Sequence, residues 1–141
     1  MNWNDKVAII TGASTGIGKA TKDLLESNGC RVYNLDFTES DGSPHFIRCD
    51  VRDRHAIKTA VDEVFSREQR IDFLFANAGI HLFANIEETS DEEFDNVLNT
   101  NIVGTFYLVK SVLPYMKAQR KGSIVLMGSD QSWVGKAQSS V

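Results

Sequence analysis

A chain of 141 residues is long enough to bury most of the surface its unfolded form exposes, around one hydrophobic core. With 42% hydrophobic and 24% charged residues it has the balance of a soluble globular domain, which sets aside the disordered, collagen-like and membrane-spanning classes. A formal net charge of -4 argues against nucleic acid or an anionic membrane as partner, because either favours a concentrated basic face.

The chain opens Met1-Asn2-Trp3-Asn4-Asp5-Lys6 without a charged leader followed by an apolar run, so a cytoplasmic protein is the expectation. Val7 to Thr11 is a continuous apolar run closed by Gly12, the pattern of a strand buried on both faces in a parallel sheet. Ile17 to Ser27 then predicts a helix with Ile17, Ala20, Leu24 and Leu25 at apolar or small positions, stopped by Asn28-Gly29. Arg31 to Leu35 predicts a second strand and Phe46 to Cys49 a third. Ala56, Ile57, Ala60, Val61, Val64 and Phe65 mark one stripe of a helix, and Ile71 to Ala76 a fourth strand.

Ser90 followed three residues on by Glu93 announces a capping box. From there Phe94, Val97, Leu98, Ile102, Phe106, Val109, Val112, Leu113 and Met116 keep helical spacing to about Lys117, with Pro114 expected to kink the last turns. The basic run Lys117 to Lys121 suits the negative end of that helix. Ile124 to Met127 predicts a fifth strand, and the polar stretch after Ser129 reads as loop. Strands alternating with helices imply right-handed βαβ crossovers, hence an α/β, doubly wound, Rossmann-like parallel sheet in one domain over residues 1–141. Cys30 and Cys49 have no C-x-x-C spacing and no histidine cluster beside them. Neither a disulfide nor a metal site is expected; buried free thiols in a reducing compartment are.

Thr11-Gly12-Ala13-Ser14-Thr15-Gly16-Ile17-Gly18 joins the first strand to the first helix, where a pyrophosphate needs glycines. Gly12 permits the tight turn, Gly16 lets the backbone approach the phosphates, Gly18 allows close helix packing, and the helix N-terminus offers unpaired N–H groups. Asp36 ends the second strand roughly 20 residues on, the place of a ribose-binding acid. Further along stand Asp50-Val51, Asn77-Ala78-Gly79, Asn101 and Ser129.

The T-G-x-x-x-G-x-G spacing, with these later residues in this order, resembles the standard branch of the short-chain dehydrogenase/reductase family from Lys6 to Ser129. The resemblance implies cofactor contacts from Gly12, Ser14, Thr15, Gly16, Ile17, Gly18, Asp36, Asp50, Val51, Asn77, Ala78 and Gly79. It implies catalytic roles for Asn101 and Ser129. Plainer readings stand beside these: Asp50 as a loop-capping carboxylate, Asn101 as a helix residue making a hydrogen bond without chemistry, Asn77 as structural in either case. His45 and His55 read as solvated; His81 is nearer the expected nicotinamide, with an incidental role the simpler reading. No base replaces Thr15 before Gly16 and Phe37 follows Asp36, so NAD rather than NADP is the expected cofactor, the carboxylate repelling a 2'-phosphate.

The reaction implied is reversible hydride transfer to or from an alcohol or ketone, with a Tyr-x-x-x-Lys pair managing the proton. That pair is expected about a dozen residues after Ser129, and none of Tyr33, Tyr107 or Tyr115 is followed four residues later by Lys. The chain is therefore read as the N-terminal part of a larger dehydrogenase domain, truncated after its fifth strand and inactive alone. A non-catalytic dinucleotide-binding or cofactor-sensing module stays open. A small-molecule substrate and a homo-oligomer are the expected partners, with strand order 3-2-1-4-5 leaving the fifth strand as an edge.

Overall fold

The computed structural model describes residues 3–39 and 42–141; Met1 and Asn2, on which part of the N-terminal reading falls, lie outside the described residues. β1 (Val7–Thr11) is buried along its whole length, as a run of branched residues must be when both faces are covered. It leads through the glycine turn into α1 (Gly16–Ser27), and Asn28-Gly29 ends that helix with Gly29 at φ 87°. β2 (Arg31–Asp36), β3 (Phe46–Arg48), α2 (Arg54–Glu68) and β4 (Phe73–Ala76) follow. Next come α3 (Asp91–Leu98), α4 (Thr105–Gln119) and β5 (Ser123–Leu126). All pairs are parallel, and the order is β3-β2-β1-β4-β5.

Alternation along the strands divides the core. Val7 and Ile9 of β1 join Tyr33, Leu35 and Leu74 against the apolar stripes of α2 and α4. Ala8, Ile10 and Val32 face the other way, with Leu25 of α1, Trp3, Phe73 and Phe75. The helices thus cover both faces of the sheet, and the ends of β1, β2 and β4 are held to one level. Asp72 fixes the opposite end: its carboxylate accepts from the Val7 N–H at 3.0 Å and from the Arg70 guanidinium at 2.7 and 2.6 Å.

Four details depart from the periodicity. β4 begins at Phe73, because both backbone groups of Ile71 are taken by the Gln119 side chain, at 2.9 Å each. The capping box at Ser90 and Glu93 is present, but the helix after it is not uniform: Asn99–Gly104 is π-helical between α3 and α4. With Pro114 inside it, α4 continues to Gln119, two residues past the expected end at about Lys117. Finally, the stretch after Ser129 is not featureless: Asp130–Ser132 forms a 3-10 turn, and Ser139 then makes a parallel bridge to Ala84. Thr89 and Ser140 share a hydroxyl hydrogen bond of 2.7 Å beside it.

Both cysteines are free and buried, and burial pushes each thiol up to about 11. Among the described residues no helix is long and apolar enough to cross a membrane, and no group of three acidic, His or Cys side chains could hold a metal.

Candidate functional site

The sheet reverses its winding at β1: the chain moves outward through β2 to β3, then returns to place β4 on the other side. Diverging loops leave a crevice outside the strand ends at such a reversal. Here it is a cleft of ≈ 1130 Å³. Most of the sequence-predicted site residues line it, from Gly12 and Gly16 through Asp36, Asp50 and Asn77 to Asn101 and Ser129. Ser14 and Gly18 are not among its lining residues; both lie behind the turn and shape it.

Gly12 takes φ 68°, and a side chain there would meet the Ala78 backbone at 3.0 Å. Gly18 has no room for a methyl group, which would stand 2.3 Å from the Gly12 carbonyl oxygen. Gly16, at φ 55°, has open space where a Cβ would be. Thr15 is the N-cap of α1 but makes no side-chain cap, and the first turn carries no acidic residue. The first turn of α1, with Gly16 and Ile17 on the cleft, therefore carries neither a side-chain cap nor a carboxylate of its own, and helix starts of this kind offer N–H groups to anions.

Two residues hold this turn in place: Thr11, which opens the motif but was given no role of its own, and Asn34, which lies outside it. Thr11 Oγ1 accepts from the N–H groups of Asn77 and Ala78, both at 3.0 Å. Asn77 Nδ2 donates back to the carbonyls of Thr11 and Gly12, at 3.0 and 3.2 Å. Asn34, buried in β2, accepts from the Ala13 N–H and donates to Ser14 Oγ, each at 3.0 Å. A polar residue between Tyr33 and Leu35 in a doubly covered strand was the available signal, since a buried amide needs partners.

Asp36 is half-buried at the end of β2. Its Oδ1 accepts from the Phe37 N–H at 2.7 Å and its Oδ2 from the Ser14 N–H at 3.1 Å, which points a fixed carboxylate at the turn. Asp50 lines the cleft and makes the loop-capping contacts. It accepts from the Arg52 N–H at 2.9 Å in a loop-capping turn, and Arg52 Nη2 binds its other oxygen at 2.7 Å. That guanidinium hydrogen bond holds the Asp50 carboxyl below the usual carboxylate range. Arg52 also donates to Asn96 Oδ1 at 2.7 Å, tying the turn to α3.

Asn101 lies within the π-helical stretch, a local widening often found where a helix serves a site. Its side chain pairs with both backbone groups of Ile80 at 2.9 Å, so the hydrogen-bonding reading of this residue is present. Gly104, three residues on, could not carry a side chain, because a Cβ would stand 2.6 Å from the Val51 carbonyl oxygen. Ser129 follows β5, exposed, its Oγ accepting from the Gln131 N–H at 3.1 Å. His81 lies on the cleft beside Phe83, with Ser139 Oγ 3.4 Å from its Nε2. His55 is exposed as expected; His45 is instead half-buried with its ring 4.8 Å from that of Tyr33, because the short β3 lays it against β2.

Residues 6–141 match the family model for short chain dehydrogenase. Similar proteins include a 3-oxoacyl-(acyl-carrier-protein) reductase of Thermotoga maritima, 40% identical, with 92% of this chain and 57% of that protein covered. A cyclopentanol dehydrogenase of Comamonas testosteroni is 32% identical, over 94% of this chain and 58% of that one. Among solved structures, ligand-free aldohexose dehydrogenase of Thermoplasma acidophilum superposes with a TM-score of 0.93 at 33% identity, covering 98% of this chain and 55% of that one. NAD+-bound xylitol dehydrogenase gives 0.89 at 30% identity, covering 99% and 58%. The chain spans a little over half the length of each of these relatives.

Proposed function

The chain belongs to the short-chain dehydrogenase family, and from that premise we propose that it is the NAD(H)-binding part of an oxidoreductase acting between an alcohol and a ketone. The observation that carries this reading is the juxtaposition of Asp36 with the glycine turn: one carboxylate, oriented by the Ser14 N–H, beside an uncapped helix start. The open space at Gly16 and the absence of acid in the first turn of α1 fit a pyrophosphate. When bound, the nicotinamide supplies the hydride chemistry.

The protein's residues would do the rest by position. The N–H groups at the start of α1, with Ser14, Thr15 and Ile17 around them, would hold the phosphates. Asp36 would accept from two ribose hydroxyls, Asp50 and Val51 would meet the adenine, and Asn77, Ala78 and Gly79 would support the second ribose. Asn101 would position the backbone after Gly79 through Ile80, and the Ser129 hydroxyl would hydrogen-bond the substrate oxygen. Positioned proton transfer at that oxygen needs a general acid/base, and no Tyr-x-x-x-Lys pair stands within the 141 residues. We therefore expect these residues alone to bind cofactor without turnover. The family's small-molecule substrates, a homo-oligomeric state and, from the two buried thiols, a reducing cytoplasmic location complete the proposal.

Titration with NADH and NADPH, run beside an alcohol-oxidation assay, tests it. NADH should bind more tightly, and Asp36→Ala should weaken NADH by about tenfold or more, because two hydrogen bonds to a charged group are lost. A larger loss for NADPH than for NADH, or robust turnover by the 141 residues, would overturn the assignment.

A further inference from the structure

The parallel register pairs Asp36 directly with Arg48, so a cation stands beside the ribose-binding acid although none is near it in sequence. Asp36 nevertheless takes backbone N–H groups from Ser14, Phe37 and Thr38. The Arg48 guanidinium rests instead over the ring of Phe37, 5.1 Å from its centroid. Phe37 lines the cleft and is 57% exposed, whereas Arg48 is not among the lining residues. An aromatic ring with a wet face would ordinarily be poor use of apolar area; here it gives an otherwise solvated cation a seat.

We propose that Phe37 is a second determinant of cofactor choice, its ring holding the Arg48 guanidinium away from the ribose 2' position. The proposal rests on the dinucleotide reading above and deepens it. Arg is the side chain whose planar fork best matches a phosphate. Placed one strand from Asp36, it is the group that could neutralise a 2'-phosphate. Two elements then act in the same direction: the Asp36 carboxylate repels the phosphate, and the Phe37 ring withholds its counter-charge.

Because repulsion by Asp36 masks any gain, the test is built on its removal. NADH and NADPH affinities are measured by titration for the unaltered protein, Asp36→Ala, Asp36→Ala with Phe37→Ala, and that pair with Arg48→Gln. Adding Phe37→Ala should tighten NADPH by about three- to fivefold over Asp36→Ala alone, the strength of an exposed cation–π contact, and Arg48→Gln should abolish the gain. NADH should show no such gain. An unchanged NADPH affinity on removing the ring, or a gain that survives Arg48→Gln, overturns the proposal while leaving the cofactor site intact. Failure of the unaltered protein to bind either dinucleotide overturns the site itself. Melting temperatures are recorded throughout; if Phe37→Ala lowers folding, Phe37→Leu keeps the apolar volume without the aromatic face and must give the same NADPH gain.

Discussion

A methyl group at position 18 would stand 2.3 Å from the Gly12 carbonyl oxygen and 2.6 Å from Asn77 Nδ2. Backbone on one side and a doubly bonded amide on the other leave nothing flexible to move. Gly16 differs: its φ of 55° strains any side chain, but a Cβ meets nothing. We expect Gly18→Ala to lower stability by about 1–3 kcal/mol, the range for overpacking a filled site. Gly16→Ala should cost about 1–2 kcal/mol through backbone strain alone. Thermal melts with NADH titration separate them: Gly18→Ala should disturb the Asn77 hydrogen bonds and lose stability and binding together. A Gly18→Ala protein that melts with the unaltered one and keeps its NADH affinity would remove the packing argument. The glycines were legible because their spacing is local. Asn34, Arg48, the role of Thr11 and the tie from Arg52 to Asn96 were not, since each acts on a residue that the fold brings to it.

Asp72 shows what one side chain does for an element. Burial raises its carboxyl, but the Arg70 hydrogen bonds, the Val7 N–H and the charges of Arg70 and Lys6 outweigh burial and hold it below the usual range. A carboxyl depressed in the folded state stabilises fully above its unfolded pKa of about 3.9, and that contribution disappears as pH falls through the folded value. Urea melts from pH 7 down to pH 3 should show Asp72→Asn less stable at neutral pH by about 1–3 kcal/mol. They should also show a shallower loss of stability below about pH 4. Parallel curves for the two proteins would mean that Asp72 is not a source of the acid sensitivity. The helix between Ser90 and Gln119 carries a second lesson at this scale. Its start was readable from four residues, whereas its π-helical stretch answers to Gly104 against Val51 and Asn101 against Ile80, contacts outside any helical period.

At the scale of the molecule, β5 borders the sheet with Val125 and Leu126 each more than half exposed. Ile102 and Phe106 add exposed apolar area on the long helix, at 63% and 60%. The segment after Ser129 leaves that edge uncovered and turns toward Ala84 and Thr89. An apolar strand with free N–H and C=O groups is a template for another chain. Light scattering across a concentration series should therefore show self-association of the 141 residues, weakened by Val125→Lys on the strand. A strictly monomeric species up to roughly millimolar concentration would sink this expectation, since an open template should pair well below that level.

What the sequence by itself determined is what acts over a few residues. The two periods separate strand from helix, the glycines mark the turn, Ser90 and Glu93 the cap, and Asp36 the end of β2. The order of these signals was enough for the α/β class, the strand order and the family. Tertiary structure alone decided which polar side chains meet. Thr11 and Asn77 are 66 residues apart, Asn101 and Ile80 are 21, and Arg48 reaches Phe37 because β3 lies beside β2. Each crossover carries the chain away from the sheet and back, and only the closed, packed sheet brings those strand ends to one level, where their side chains form a site.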